Sequence, residues 1–188
     1  GASYDFDMQG SGFITLAGTN SVDGVLEIGV DGGTIEIDGV TTFAGSGTTG
    51  LTQAYINESG AGGQLTIGPG HTAQMGGPLG GSSTGITYLA APTDNQGATI
   101  NLFSGGITLQ GLLESSTGNG IIDNDVAGSS GWQINIDGGA ISSHTLTGTS
   151  LGGGFIFNNP ANRMENITVP SGASYDFDMQ GSGFITLA

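Results

Sequence analysis

The chain has 188 residues with 39 glycines, 36% hydrophobic residues and sixteen acidic side chains against one basic residue, for a net charge of -15. That is enough apolar material for one domain with a real core, but glycine and small polar residues exclude long helices and make all-β the expected class. A surface tracking a phosphate backbone needs clustered Lys and Arg and is excluded as well, so nucleic acid is not an expected partner.

From the amino terminus, Gly1 to Ala17 reads GASYDFDMQGSGFITLA, and the same seventeen residues return unchanged as Gly172 to Ala188, a period of 171. Strand propensity constrains residue type too loosely to keep seventeen positions identical, so the copies share a recent origin or a design. The expected organisation is therefore one repeat unit, residues 1–171, and the start of the next, residues 172–188.

Short apolar-polar-apolar kernels follow along the chain: Ile14-Thr15-Leu16, Leu26-Glu27-Ile28, Ile35-Glu36-Ile37, Leu65-Thr66-Ile67, Ile86-Thr87-Tyr88, Ile107-Thr108-Leu109, Ile134-Asn135-Ile136 and Ile167-Thr168-Val169. Alternation with period two turns the outer pair inward and the central polar residue to solvent. Gly68-Pro69-Gly70, Asp137-Gly138-Gly139 and Pro170-Ser171-Gly172 supply the positive and fixed φ of sharp corners between strands. Kernel spacing varies: Thr66, Thr87 and Thr108 are evenly spaced, whereas Asn135 and Thr168 lie much further apart and Glu27 and Glu36 much closer together. The expectation is a parallel β-helix, right-handed by the usual crossover rule, with irregular coils of about 20 to 25 residues stacked about 4.8 Å apart.

Few residues carry a pattern that chemistry requires. Asp123, Asn124 and Asp125 place three oxygen-bearing side chains together and form the best candidate for a calcium ion; no other cofactor is expected. The i, i+2 acid pairs Asp5/Asp7, Glu36/Asp38 and Asp123/Asp125 suit a cation or acid-base work, though solvated strand faces use the same spacing. His71 and His144 are read as surface or half-buried residues, because no cysteine or third histidine completes a tetrahedral set. No G-x-S-x-G turn is present, and the chain is not expected to be an enzyme. The aromatics Tyr55, Tyr88 and Trp132 are expected in the core. Outward threonines, Thr15, Thr66, Thr87, Thr108 and Thr168, raise the idea of a ladder on one face.

The strand-corner-strand grammar, as in ITVPSGASYDFDM from Ile167 to Met179, resembles the irregular β-helical repeats of large bacterial surface proteins, adhesins and fibre shafts. The resemblance implies a structural unit of an extracellular or cell-surface filament, continuing head to tail into identical neighbouring units. The alternative is a binding shaft that recognises a carbohydrate or a surface, with its site expected on variable-length loops such as Met75 to Thr84 or Gly111 to Gly131, and the third reading is a carbohydrate-active β-helix enzyme working through paired acids. Neighbouring units would meet through Tyr4, Phe6, Met8, Phe13, Ile14 and Leu16 in one copy and Tyr175, Phe177, Met179, Phe184, Ile185 and Leu187 in the other. Covalent concatenation and assembly by strand addition both satisfy this reading. No apolar run approaches the roughly 18 to 20 residues of a membrane span, and no signal peptide opens the sequence.

Overall fold

A computed structural model describes residues 2–9, 12–31, 33–77, 85–124, 132–149, 153–180 and 186–187. Within them the chain forms β1 (Ser3–Gln9), β2 (Phe13–Ser21), β3 (Val25–Asp31), β4 (Thr34–Ala44), β5 (Thr48–Thr52), β6 (Tyr55–Glu58) and β7 (Gln64–Ile67). Then come β8 (Thr72–Gly76), β9 (Thr87–Leu89), β10 (Thr93–Asn95), β11 (Thr99–Leu102), β12 (Ile107–Leu109), β13 (Leu112–Glu114) and β14 (Gly120–Asp123). The last are β15 (Gln133–Ile136), β16 (Ala140–Ser142), β17 (His144–Thr147), β18 (Gly154–Phe157), β19 (Arg163–Glu165), β20 (Asp176–Met179) and β21 (Thr186–Leu187).

Every pairing among these strands is parallel. Parallel neighbours need a long crossover, and here the rest of the coil supplies it. The result is a β-solenoid with three faces and about seven turns. The first face stacks β1-β3-β5-β8-β11-β14-β17. Residues 34–37 of β4 pair with β6 on the second face, which runs on through β9, β12, β15, β18 and β20. Residues 40–43 of β4 pair with β7 on the third, which runs on through β10, β13, β16, β19 and β21. The coils are unequal along the first face: successive partners are closest in sequence at Ser3↔Val25 and Thr99↔Ile121 and furthest apart at Thr72↔Thr99, where the coil is slightly longer than the sequence suggests.

Alternation builds the interior. Ile14, Ile35, Ile56, Leu89, Leu109, Ile136, Phe157 and Met179 form one column on the second face, each opposite the next. All but the two end members of this column are buried, and each such aliphatic chain contributes about 1.5 to 3 kcal/mol. The corners read from the sequence are present, with φ of 77° at Gly70, 83° at Gly138 and 92° at Gly172. At the corner from third to first face, Ser143 and the residue stacked on it, Asn166, are both left-handed, with φ of 61° and 52°. Such stacking keeps successive coils in step.

Several sequence expectations change in the folded chain. Thr87 points inward, fully buried, while Ile86 is exposed, because its hydroxyl finds partners inside: it donates to Leu51 O (2.5 Å) and accepts from Gly76 N (2.9 Å). Thr66 lies on the third face, Thr15 and Thr108 on the second and Thr168 on the first, so the threonines make no common ladder. Their even spacing is a coincidence of unequal coils. His71 and His144 are both fully buried, not at the surface or half-buried as expected. The stretch Gly111 to Gly131 is not one loop, since it contains β13 and β14, and Met75 is a core residue.

Candidate functional site

The features that set this solenoid apart from a closed globular core are its two ends. At the amino-terminal end, Tyr4 and Phe6 stand opposite Leu26 and Ile28 and belong to the inward columns, yet they are 64% and 51% exposed because no coil covers them. With Val22, Leu26 and neighbouring backbone they line an open hollow of about 560 Å³. Among the described residues, no strand lies beside the outer edge of β1 in the sheet order. Ile14 and Leu16 of β2 are half-buried against the core, whereas Phe13 faces outward and is exposed.

At the carboxyl-terminal end the same sequence meets different neighbours. Phe177 stacks on Phe155, with ring centroids 5.0 Å apart and planes 8° from parallel, and lies 6.3 Å from Phe157. Tyr175 meets the buried Trp132 edge-on at 5.2 Å. Its hydroxyl donates to Thr147 O (2.6 Å) and approaches Ile122 O (3.2 Å). Burial pushes this phenol well above the usual tyrosine range, with Asp123 adding to the effect. Phe177 and Met179 remain half-exposed, because β20 ends the second face as β1 ends the first.

Of the expected junction residues, Phe184 and Ile185 lie outside the described residues, and of Met8 and Leu187 only the backbone pairings, with Val30 and Met164, are described. The two copies do not occupy equivalent places. Ser3–Gln9 lies on the first face against β3, whereas Asp176–Met179 lies on the second against β18. Likewise Phe13–Ala17 pairs with β4 on the second face, whereas Thr186–Leu187 pairs with β19 on the third.

The residues read as a calcium candidate are placed at the end of β14. Asp123 is half-buried, the buried Asn124 donates to Ser174 O (3.3 Å), and Asp125 lies outside the described residues. Among the described residues no three His, Cys, Asp or Glu side chains gather as a metal group. His71 and His144 sit in one corner column three coils apart, following His71↔Ala98↔Gly120↔His144. His71 Nε2 lies 2.9 Å from Thr49 Oγ1, and His144 Nδ1–H donates to Ser142 O (2.7 Å). Burial lowers both pKa values, that of His144 to about 4.

Sequence reasoning missed one surface feature. Tyr55 and Tyr88 are not core residues: they stack face to face on the outside of the second face, centroids 4.3 Å apart and 6° from parallel, with Tyr55 40% exposed. Their opposition in the register, Tyr55↔Tyr88, is the cause, and the long stretch of chain between them hid it. No family model, no curated protein and no solved structure matches this chain.

Proposed function

We propose that this chain is a structural repeat unit of a rod-like filament, continued at both ends by further units. The observation that carries the reading is the pair of open ends, where Tyr4 and Phe6 at one and Phe177 and Met179 at the other expose inward-column residues beside unpaired strand edges. Natural solenoids protect such ends with caps, and an uncovered apolar edge is a template for association. The duplicated segment at those two ends supports the same reading. The activity is mechanical and non-catalytic: a hydrogen-bonded stack with an apolar interior resists extension and proteolysis. The net charge of -15 suits a soluble, acidic fibre in an extracellular or cell-surface setting.

A chain of two units, residues 1–171 followed by 1–188, tests this by small-angle scattering. The expected result is one rod of unchanged cross-section, longer than the single unit by about 35 Å at about 4.8 Å per coil. Two bodies tumbling independently on a tether would contradict it.

The stacked pair Tyr55 and Tyr88 favours a second role, a shaft that holds a sugar ring on its side. Binding to a glycan array that disappears in Tyr55→Ala is its test.

A further inference from the structure

The two copies of the repeated segment show the same residues from opposite sides. The amino-terminal copy is paired with the coil that follows it, through β3 and β4, and the carboxyl-terminal copy with the coil that precedes it, through β18 and β19. We infer that they are two views of one joint: in an array of these units, residues 172–188 of one unit are residues 1–17 of the next, and each unit is turned by one face of the solenoid. This deepens the filament reading and rests on it.

The registers join into continuous rungs with inward positions facing inward positions. Asp176 stands opposite Gly154, and its equivalent Asp5 opposite Glu27; Phe177 stands opposite Phe155, and Phe6 opposite Ile28. Superposed, they give continuous rungs Gly154-Asp-Glu27 and Phe155-Phe-Ile28, the first outward and the second inward. On the next face, Thr186 opposite Arg163 and Thr15 opposite Glu36 give Arg163-Thr-Glu36, while Leu187 opposite Met164 and Leu16 opposite Ile37 give an apolar rung. The first aspartate lies over Gly154 on one side and beside Glu27 on the other, and the second, on the outward side, stands between Ile156 and Gly29.

The joint also resolves the unequal burial of the two tyrosines. Tyr4 is exposed, whereas Tyr175 has the carbonyls of Thr147 and Ile122 and the edge of Trp132. Those partners belong to the preceding coils, so Tyr4 has them once a unit stands before it.

The turn follows from counting faces. From β1 the first face takes seven steps to Thr168, and the repeated strand then appears one face later, as β20. A unit is therefore seven and one-third coils, with an axial rise of about 35 Å at about 4.8 Å per coil. Each unit is rotated by about 120° relative to the last, so a full period takes three units and about 105 Å.

Cryo-electron microscopy of a chain of ten fused units, traced coil by coil, tests this. The expected map shows seven and one-third coils per unit, with the Asp-Phe-Asp-Met strand moving to the next face at every joint, and the Tyr→Phe variant at all joints loosens them without changing the count. A whole number of coils per unit, with the strand on one face throughout, would overturn the inference while leaving the filament standing. Separate bodies on tethers would overturn both.

Discussion

Seventeen identical residues take two different environments at the two ends of this molecule. At the head, Tyr4 and Phe6 have a neighbour only on the β3 side and are largely open to water. At the tail, Tyr175 and Phe177 rest on an aromatic cluster of Trp132, Phe155 and Phe157. Local sequence is the same in both, so burial and bonding here are decided by which coil lies against the segment. In a solenoid, each element derives its stability from its neighbours.

Matched substitutions in the two copies sharpen that contrast. Tyr175→Ala removes packing against Trp132 and Phe155 and takes one of the donors from the carbonyls of Thr147 and Ile122, so it should cost about 3 kcal/mol in denaturant unfolding. Tyr4→Ala should cost about 1 kcal/mol or less, as for an exposed site. Equal losses would mean that the two copies are not differently packed.

Acid should act on the two ends with opposite sign. His144 lies in the coils beneath the tail, neutral in the fold, with its pKa lowered to about 4 by burial against an ordinary value of 6.5. Its contribution is complete above pH 6.5 and is lost as pH falls toward 4, to a limit of about 3 kcal/mol. Replacement by Leu should flatten that part of the pH-stability curve. Near the head, half-buried Glu27 accepts from Thr52 (2.8 Å), and its pKa is raised by burial with a further push from Asp5. Its charged form is the disfavoured one, so this local term favours folding in acid and weakens as pH rises from 4.5 through the elevated value. Hydrogen exchange at pH 5 and pH 7 should show the tail coils loosening in acid while β1 and β3 hold.

Smaller effects separate bonding from packing. Tyr175→Phe keeps the ring contacts and loses the hydroxyl's bonds, for about 1 to 2 kcal/mol, and Tyr4→Phe should be neutral within about 0.5 kcal/mol. Glu27→Gln should stabilise slightly at pH 7 and lose that advantage below pH 4.5.

The coil grammar was legible because it is local. Kernels such as Leu65-Thr66-Ile67 turn their outer residues inward, and the glycine corners at Gly70, Gly138 and Gly172 have the positive φ expected of them. Placement across coils was not, since it depends on coil lengths that differ from one turn to the next, as between Ser3↔Val25 and Thr72↔Thr99 on one face. That variation puts Tyr55 beside Tyr88, seats the two copies on different faces and dissolves the threonine ladder. Thr87 and the histidines were misplaced for another reason: hydrogen bonds inside the core satisfy them, and a polarity pattern does not reveal such partners.

The most direct test of the central claim, that one sequence sits on two faces, is disulfide trapping in the 188-residue chain, which has no native cysteine. Outward residues opposite each other on adjacent strands lie about 4.8 Å apart, within bridging range. Ile156→Cys with Asp178→Cys should close readily on oxidation, as should Asp5→Cys with Glu27→Cys, and Thr145→Cys with Asp178→Cys should stay reduced. Closure of the Thr145 pair in place of the Ile156 pair would put both copies on the first face and contradict the account.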